Sequence, residues 1–151
     1  MTYIDQHSAT SDATAEQAWG VVSRLGGDER LYVPRNLWRL RGLADRLVGG
    51  PGYRVEGPGR PLQPKDRVDF WEVLDVHPPS RLRLRALSRV PGTIYLDIEV
   101  AARDGGSTVV LRSTFEPAGP AGHAYWWSML AAHRVTFALM VRRLAAMAAE
   151  V

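Results

Sequence analysis

Two titratable residues stand where their surroundings are otherwise apolar. The first is His133, set among Trp126, Met129, Leu130, Phe137, Met140, Val141 and Leu144, which recur three or four positions apart. That spacing places an imidazole in the middle of one apolar helical stripe. Lining a cavity, it would serve as a general base or hydrogen-bond donor. Packed in a core, it would bond a backbone carbonyl or a buried partner. The second is Glu72, in Arg67–Val76 (RVDFWEVLDV). There Phe70 and Leu74 share its side of a strand, and Trp71 and Val73 take the other. Facing a cavity, Glu72 would be a desolvated carboxyl fit for acid or base work. Facing outward, it would be an ordinary sheet residue, and a bulge would exchange the two outcomes. Asp69 carries the complementary ambiguity. Ser88 and Ser113 fall on the apolar sides of their strands and can either bond a ligand oxygen or fill core space as small residues.

Other chemistries lack their motifs. His7, His77, His123 and His133 have no metal-ligand spacing, and there is no Cys, so neither a zinc site nor a thiol nucleophile is expected. No glycine-rich phosphate loop follows a strand, and no GxSxG elbow is present. No cofactor is therefore expected.

A set of helices and strands must position these side chains. From Pro120 to Val151 nothing interrupts a helix beyond Gly122, and Pro120 suits a first turn. A helix of about 25–28 residues would run roughly 40 Å. His133, Arg134, Arg142 and Arg143 make it too polar to span a membrane. Residues 2–7 predict a short first strand. Ser11, Asp12 or Thr14 can cap a helix whose apolar side is Ala18, Trp19, Val22 and Leu25, ended by Gly26-Gly27. A second helix is expected over Asn36–Val48, with Leu37, Leu40, Leu43, Leu47 and Val48 at helical spacing and Arg41 and Asp45 paired four apart. Trp38 would close one end of a cavity. Residues 49–66, with five Gly and four Pro, predict a loop with a short strand at Tyr53–Glu56.

From Arg67 the period becomes two. Strands are expected at Arg67–Val76, Arg81–Val90, Thr93–Ala102 and Ser107–Glu116, joined at Pro78-Pro79-Ser80, Pro91-Gly92 and Asp104-Gly105-Gly106. Leu82, Leu84, Ile94, Leu96, Ile98, Val109, Leu111 and Phe115 would point inward. Arg83 and Arg85 would meet Asp97 and Glu99 across strands on a solvated face with Tyr95. The apolar sheet face needs a cover, which the last helix supplies. The expected class is α+β, a curved antiparallel sheet gripping a long helix, with two short helices closing one end. Such a space is a usual small-molecule site. Leu84, Leu96, Leu111, Trp126, Met129, Leu130 and Phe137 would line it, with Phe70, Trp38, Ser88 and Ser113 contributing.

Composition agrees with one soluble domain over residues 1–151. Net charge is +3, and of 19 basic residues only Lys65 is not arginine. Acidic residues are interspersed, so no basic tract forms and nucleic acid is not an expected partner. MTYIDQHSAT has neither a basic start nor an apolar core, and no 18-residue apolar run exists; a cytoplasmic protein without membrane contact is expected. Tyr125, Trp126 and Trp127 open the last helix, where an exposed aromatic face would support a homodimer or other partner.

Several stretches carry a family resemblance: LWRLRGLADRLVGGPG at 37–52, DRVDFWEV at 66–73, RLRLRA at 81–86, RVPGTIYLDIEV at 89–100, FEPAGPAGHAYWW at 115–127, and His133 to Phe137. With their spacing they cover most of residues 19–144. The chain resembles the bacterial DUF2867 family of the START/Bet v 1-type (SRPBCC) helix-grip superfamily. Where that family often has Pro and a larger apolar residue, this chain has Ala131 and Ala132, implying a straighter helix and a roomier neighbourhood. The resemblance implies the helix-grip fold. It also admits a cofactor-independent enzyme of specialised metabolism, because the superfamily includes polyketide cyclases and aromatases; His133 and Glu72 would then move the protons. The residues themselves point first to binding a small hydrophobic molecule.

Overall fold

The computed structural model describes residues 1–25, 47, 58–68 and 71–150. Its elements are β1 (Tyr3–Ser11), α1 (Ala15–Val22), β2 (Arg67–Val68), β3 (Trp71–His77), β4 (Arg81–Ala86), β5 (Gly92–Arg103), β6 (Gly106–Pro117) and α2 (Gly119–Ala149). One antiparallel sheet runs β1-β6-β5-β4-β3-β2. The helix expected at 36–48, the strand at 53–56, Trp38, Asp69, Phe70 and the Arg41–Asp45 pair lie outside the described residues. Leu47, expected on an apolar side, is exposed. No helix among the described residues is long and apolar enough to cross a membrane.

β1 is longer than residues 2–7 suggested. Ser8 to Ser11 pair with Val110 to Ser107 of β6, so a long partner strand extends β1 through a polar segment that has little strand preference of its own. Thr14 is the helix cap. Its Oγ1 accepts from Gln17 N at 3.2 Å, and its own N–H donates to Gln17 Oε1 at 2.9 Å, a reciprocal capping box. Ala18, Trp19, Val22 and Leu25 are buried, and α1 ends at Val22, before Gly26. β4 stops at Ala86 rather than Val90, which leaves Ser88 half-buried in a bend.

Residues 58–66 form the expected loop, which is anchored to the rest of the fold. Leu62 is buried, and its N–H bonds Ser23 O at 2.7 Å. Arg60 donates to both Asp66 oxygens at 2.8 and 3.0 Å and holds that carboxyl below the usual carboxylate range.

The sheet has two chemically distinct faces because side chains alternate. The inner rows follow from the register. One is Val73–Leu84–Leu96–Ser113–Asp5, and the next is Val76–Leu82–Ile98–Leu111–His7. The outer face carries ions. Arg81 and Arg83 approach Asp97 at 3.2 and 3.7 Å, Arg112 meets Glu99 at 3.4 Å, and the Arg83 guanidinium sits 4.9 Å from the Tyr95 ring centre. Arg83 lies opposite Asp97 as expected, whereas Arg85 lies opposite Tyr95 rather than Glu99.

α2 is 31 residues long, roughly 46 Å at 1.5 Å per residue. It packs on β1, β6 and α1. Pro120 occupies its first turn, and the helix continues through Ala131 and Ala132. Both alanines are exposed, so the room they leave lies on the solvent side. The first turn comes so close to the β4–β5 connection that a Cβ at Gly122 would stand 2.5 Å from Pro91 O and 2.7 Å from Pro117 Cβ. Gly122→Ala should therefore destabilise by about 1–3 kcal/mol through overpacking, although Ala is the better helix former; urea unfolding would read this as a lower midpoint at unchanged slope.

Candidate functional site

Aromatic rings fix α2 over the inner face. Trp126 is stacked between Tyr3 (centroids 5.0 Å, 12°) and Phe115 (5.9 Å, 11°). Tyr3 is on β1 and Phe115 on β6, directly opposite each other. Tyr3 Oη shares a 2.7 Å hydrogen bond with His123 Nδ1, one turn before Trp126. Planar rings in contact add about 0.5–1.5 kcal/mol per pair beyond their burial.

Past Trp126 the stripe changes character. Trp126 and the segment with Phe137, Met140, Val141 and Leu144 are buried, but Met129, Leu130 and His133 between them are only half-buried. All three share the helical face of their buried neighbours. The middle of α2 thus presents an apolar, incompletely covered wall toward the sheet. His133 sits in it, 5.5 Å from the Trp126 ring and 4.3 Å from Phe137, with its Nε2 enclosed.

Across from this wall, Leu84, Leu96, Leu111 and Ser113 are buried on the inner face. Ser113 is 2% exposed, and its Oγ has no hydrogen-bond partner. A buried hydroxyl in that state costs about 1–3 kcal/mol unless something satisfies it. Beside Ser113 on β1 is a group that the sequence reading left out. Asp5 lies opposite Ser113 and His7 opposite Leu111. Asp5 Oδ2 bonds His7 Nε2 at 2.8 Å, and the Arg134 Nε of α2 stands 3.8 Å from Asp5 Oδ1. The signal was present: Asp5 and His7 are two apart in a strand, hence on one face. The segment is short and polar, which masks the pair, and nothing in the spacing of His7 to the other histidines marks it.

Glu72 is elsewhere. It pairs across the strand with Arg85, whose guanidinium approaches its carboxylate at 3.3 Å. It shares the outer face with Tyr95 and Thr114, while its neighbour Val73 is inward and buried. A bulge between Val73 and Asp75 absorbs Leu74 and keeps Asp75 outward too. Glu72 and His133 are thus on opposite sides of the sheet and form no joint acid–base pair. Ser88, in its bend, is likewise not a strand residue. Trp127 is 63% exposed and belongs to no cavity wall. Among the described residues, no three His, Asp or Glu side chains gather in a way that would hold a metal ion.

Truncating Trp126 to Ala should cost about 3–5 kcal/mol, and Trp127→Ala less than about 0.5 kcal/mol, as measured by chemical denaturation. Glu72→Gln should lower stability by less than about 1 kcal/mol in the same measurement.

No curated protein matches the chain. Solved structures match its fold. Norcoclaurine synthase from Thalictrum flavum, a point mutant in complex with a transition-state analogue, is 12% identical with a TM-score of 0.61, over 99% of this chain and 96% of that one. DynU16, from the dynemicin biosynthetic locus, is 18% identical with a TM-score of 0.58 over 95% of this chain, which spans only 46% of DynU16. Protein CV1439 from Chromobacterium violaceum is 14% identical with a TM-score of 0.52, over 97% and 96% of the two chains. The fold is the Bet v 1-like helix-grip, α+β. The family model for DUF2867, described as a protein of unknown function, matches residues 1–140, and the chain belongs to the DUF2867 family.

Proposed function

We propose that the protein binds a small, largely hydrophobic molecule between the inner sheet face and the central turns of α2. The observation that carries this is the half-covered stretch Met129–Leu130–His133 within an otherwise buried stripe. A helix packed only for stability would cover that stretch as it covers Trp126 and Leu144. The opposing row of Leu84, Leu96 and Leu111, broken by the unpartnered Ser113 hydroxyl, has the make-up of a ligand wall: mostly apolar, with few polar groups to orient a guest.

A second reading is favoured by a separate observation, the polar groups that reach this face. His133 and the Asp5–His7 pair could move protons on a bound molecule without a metal or cofactor. Norcoclaurine synthase, with the same fold, is by its name an enzyme, and one of its structures holds dopamine and hydroxybenzaldehyde. In this reading the protein is a cofactor-independent enzyme of the cyclase, dehydratase or isomerase kind.

Titration with the neutral fluorophore N-phenyl-1-naphthylamine tests the binding reading. Emission should rise with saturation in the wild type, and Leu130→Trp, which fills the gap, should weaken the probe by about tenfold, or 1.4 kcal/mol. Absence of saturable binding, or equal affinity in the variant, overturns it. Native mass spectrometry of the purified protein would reveal a co-purifying guest. If that guest is turned over, His133→Ala should slow the reaction by about 10²-fold or more, and wild-type rates in the variant would remove His133 from the chemistry.

A further inference from the structure

We propose that His7, held by Asp5, is the acceptor for the hydroxyl of an aromatic ligand at the β1 end of the cleft. This rests on the cleft reading above and adds the class of guest. The pair is built by the strand itself. Tyr3, Asp5 and His7 alternate on the inner face of β1, and Asp5 and His7 are largely shielded, at 10% and 21% side-chain exposure.

The hydrogen bond fixes the imidazole. An ionised carboxylate only accepts, so His7 Nε2 must carry the proton that it gives to Asp5 Oδ2 at 2.8 Å. In its neutral form the ring then has its lone pair on Nδ1, for which no hydrogen bond is found among the described residues. In that form Nδ1 is an acceptor open to a donor. A hydroxyl supplies one; an ether or a carboxylate does not. Arg134, 3.8 Å from the other Asp5 oxygen, balances the carboxylate charge, so an electron-rich oxygen is not repelled. Ser113, opposite Asp5, has a free hydroxyl that can donate to the same ligand oxygen.

The remaining walls choose the body of the guest. The half-buried rings of Tyr3, at the end of the Tyr3–Trp126–Phe115 stack, and of His133, beside Phe137, belong to the same inner face as this polar end. Flat rings gain from such surroundings by offset or edge-to-face contact. An aromatic alcohol matches both features, with its ring against the stack and its O–H toward Nδ1.

The test compares 2-naphthol with 2-methoxynaphthalene, which keeps the ring and the oxygen but lacks the donor, using quenching of the intrinsic tryptophan emission. The wild type should prefer the naphthol by about tenfold, the size of one good buried hydrogen bond. His7→Phe should bring the two affinities together. Asp5→Asn should do the same while leaving the imidazole in place, because the amide Nδ2 donates to Nε2 and forces the proton onto Nδ1. No preference in the wild type, or a preference that survives both variants, overturns the inference while the cleft reading stands. If neither naphthalene binds, the cleft reading falls and this inference with it.

Discussion

The clamp on Trp126 is the constraint from which the rest of the interior follows. Two strands that pair directly, β1 and β6, each offer one ring, and the indole of α2 lies flat between them. With that point fixed and the first turn held against the β4–β5 connection at Gly122, the helix has little freedom in its crossing direction. Its C-terminal half is seated by Phe137, Met140, Val141 and Leu144, and by α1. A rigid helix held at both ends bridges whatever lies between. The half-covered middle therefore results from anchoring rather than from a weak apolar pattern.

The faces of the sheet divide labour in a way that a strict count of two would misassign at one place. Leu74 is the extra residue of a bulge, so the alternation in β3 slips by one between Val73 and Asp75. Without that slip Asp75 would turn inward beneath the helix. With it, Glu72 and Asp75 both stay on the side where arginines wait. Asp97, only 5% exposed, is the centre of that outer lattice, and its two arginine neighbours satisfy a charge that would otherwise be costly to bury.

Much of this was legible in the sequence. The period-two runs gave β5 and β6 to within one residue at each end, because their apolar faces are unbroken and the Asp104-Gly105 turn is explicit. The α2 stripe was visible because nothing after Gly122 competes with a helix. Less was legible where long-range pairing overrides local preference. β1 extends to Ser11 only because β6 is there to receive it, and the end of β4 at Ala86 follows no strong local signal. The parity of Glu72 depended on a bulge that no residue type announces. The Asp5–His7 pair needed two facts at once, that the N-terminal segment is a strand and that it borders the helix. Its residues suggested the first and only the fold supplies the second.

β1 is the first strand along the chain, yet its partner β6 is the last, with Tyr3 opposite Phe115 and Ser11 opposite Ser107. These pairings join residues about a hundred positions apart in the chain. Closing so long a loop costs entropy before any contact repays it, and topologies rich in such contacts fold slowly. The β2–β6 meander can form from neighbours in sequence; β1 cannot. The Asp5–His7 pair thus reaches its place beside α2 only when the chain's two distant parts meet. The apolar rows of β3 to β6 can form before that, so the polar groups on this part of the inner face are tied to the completion of the fold.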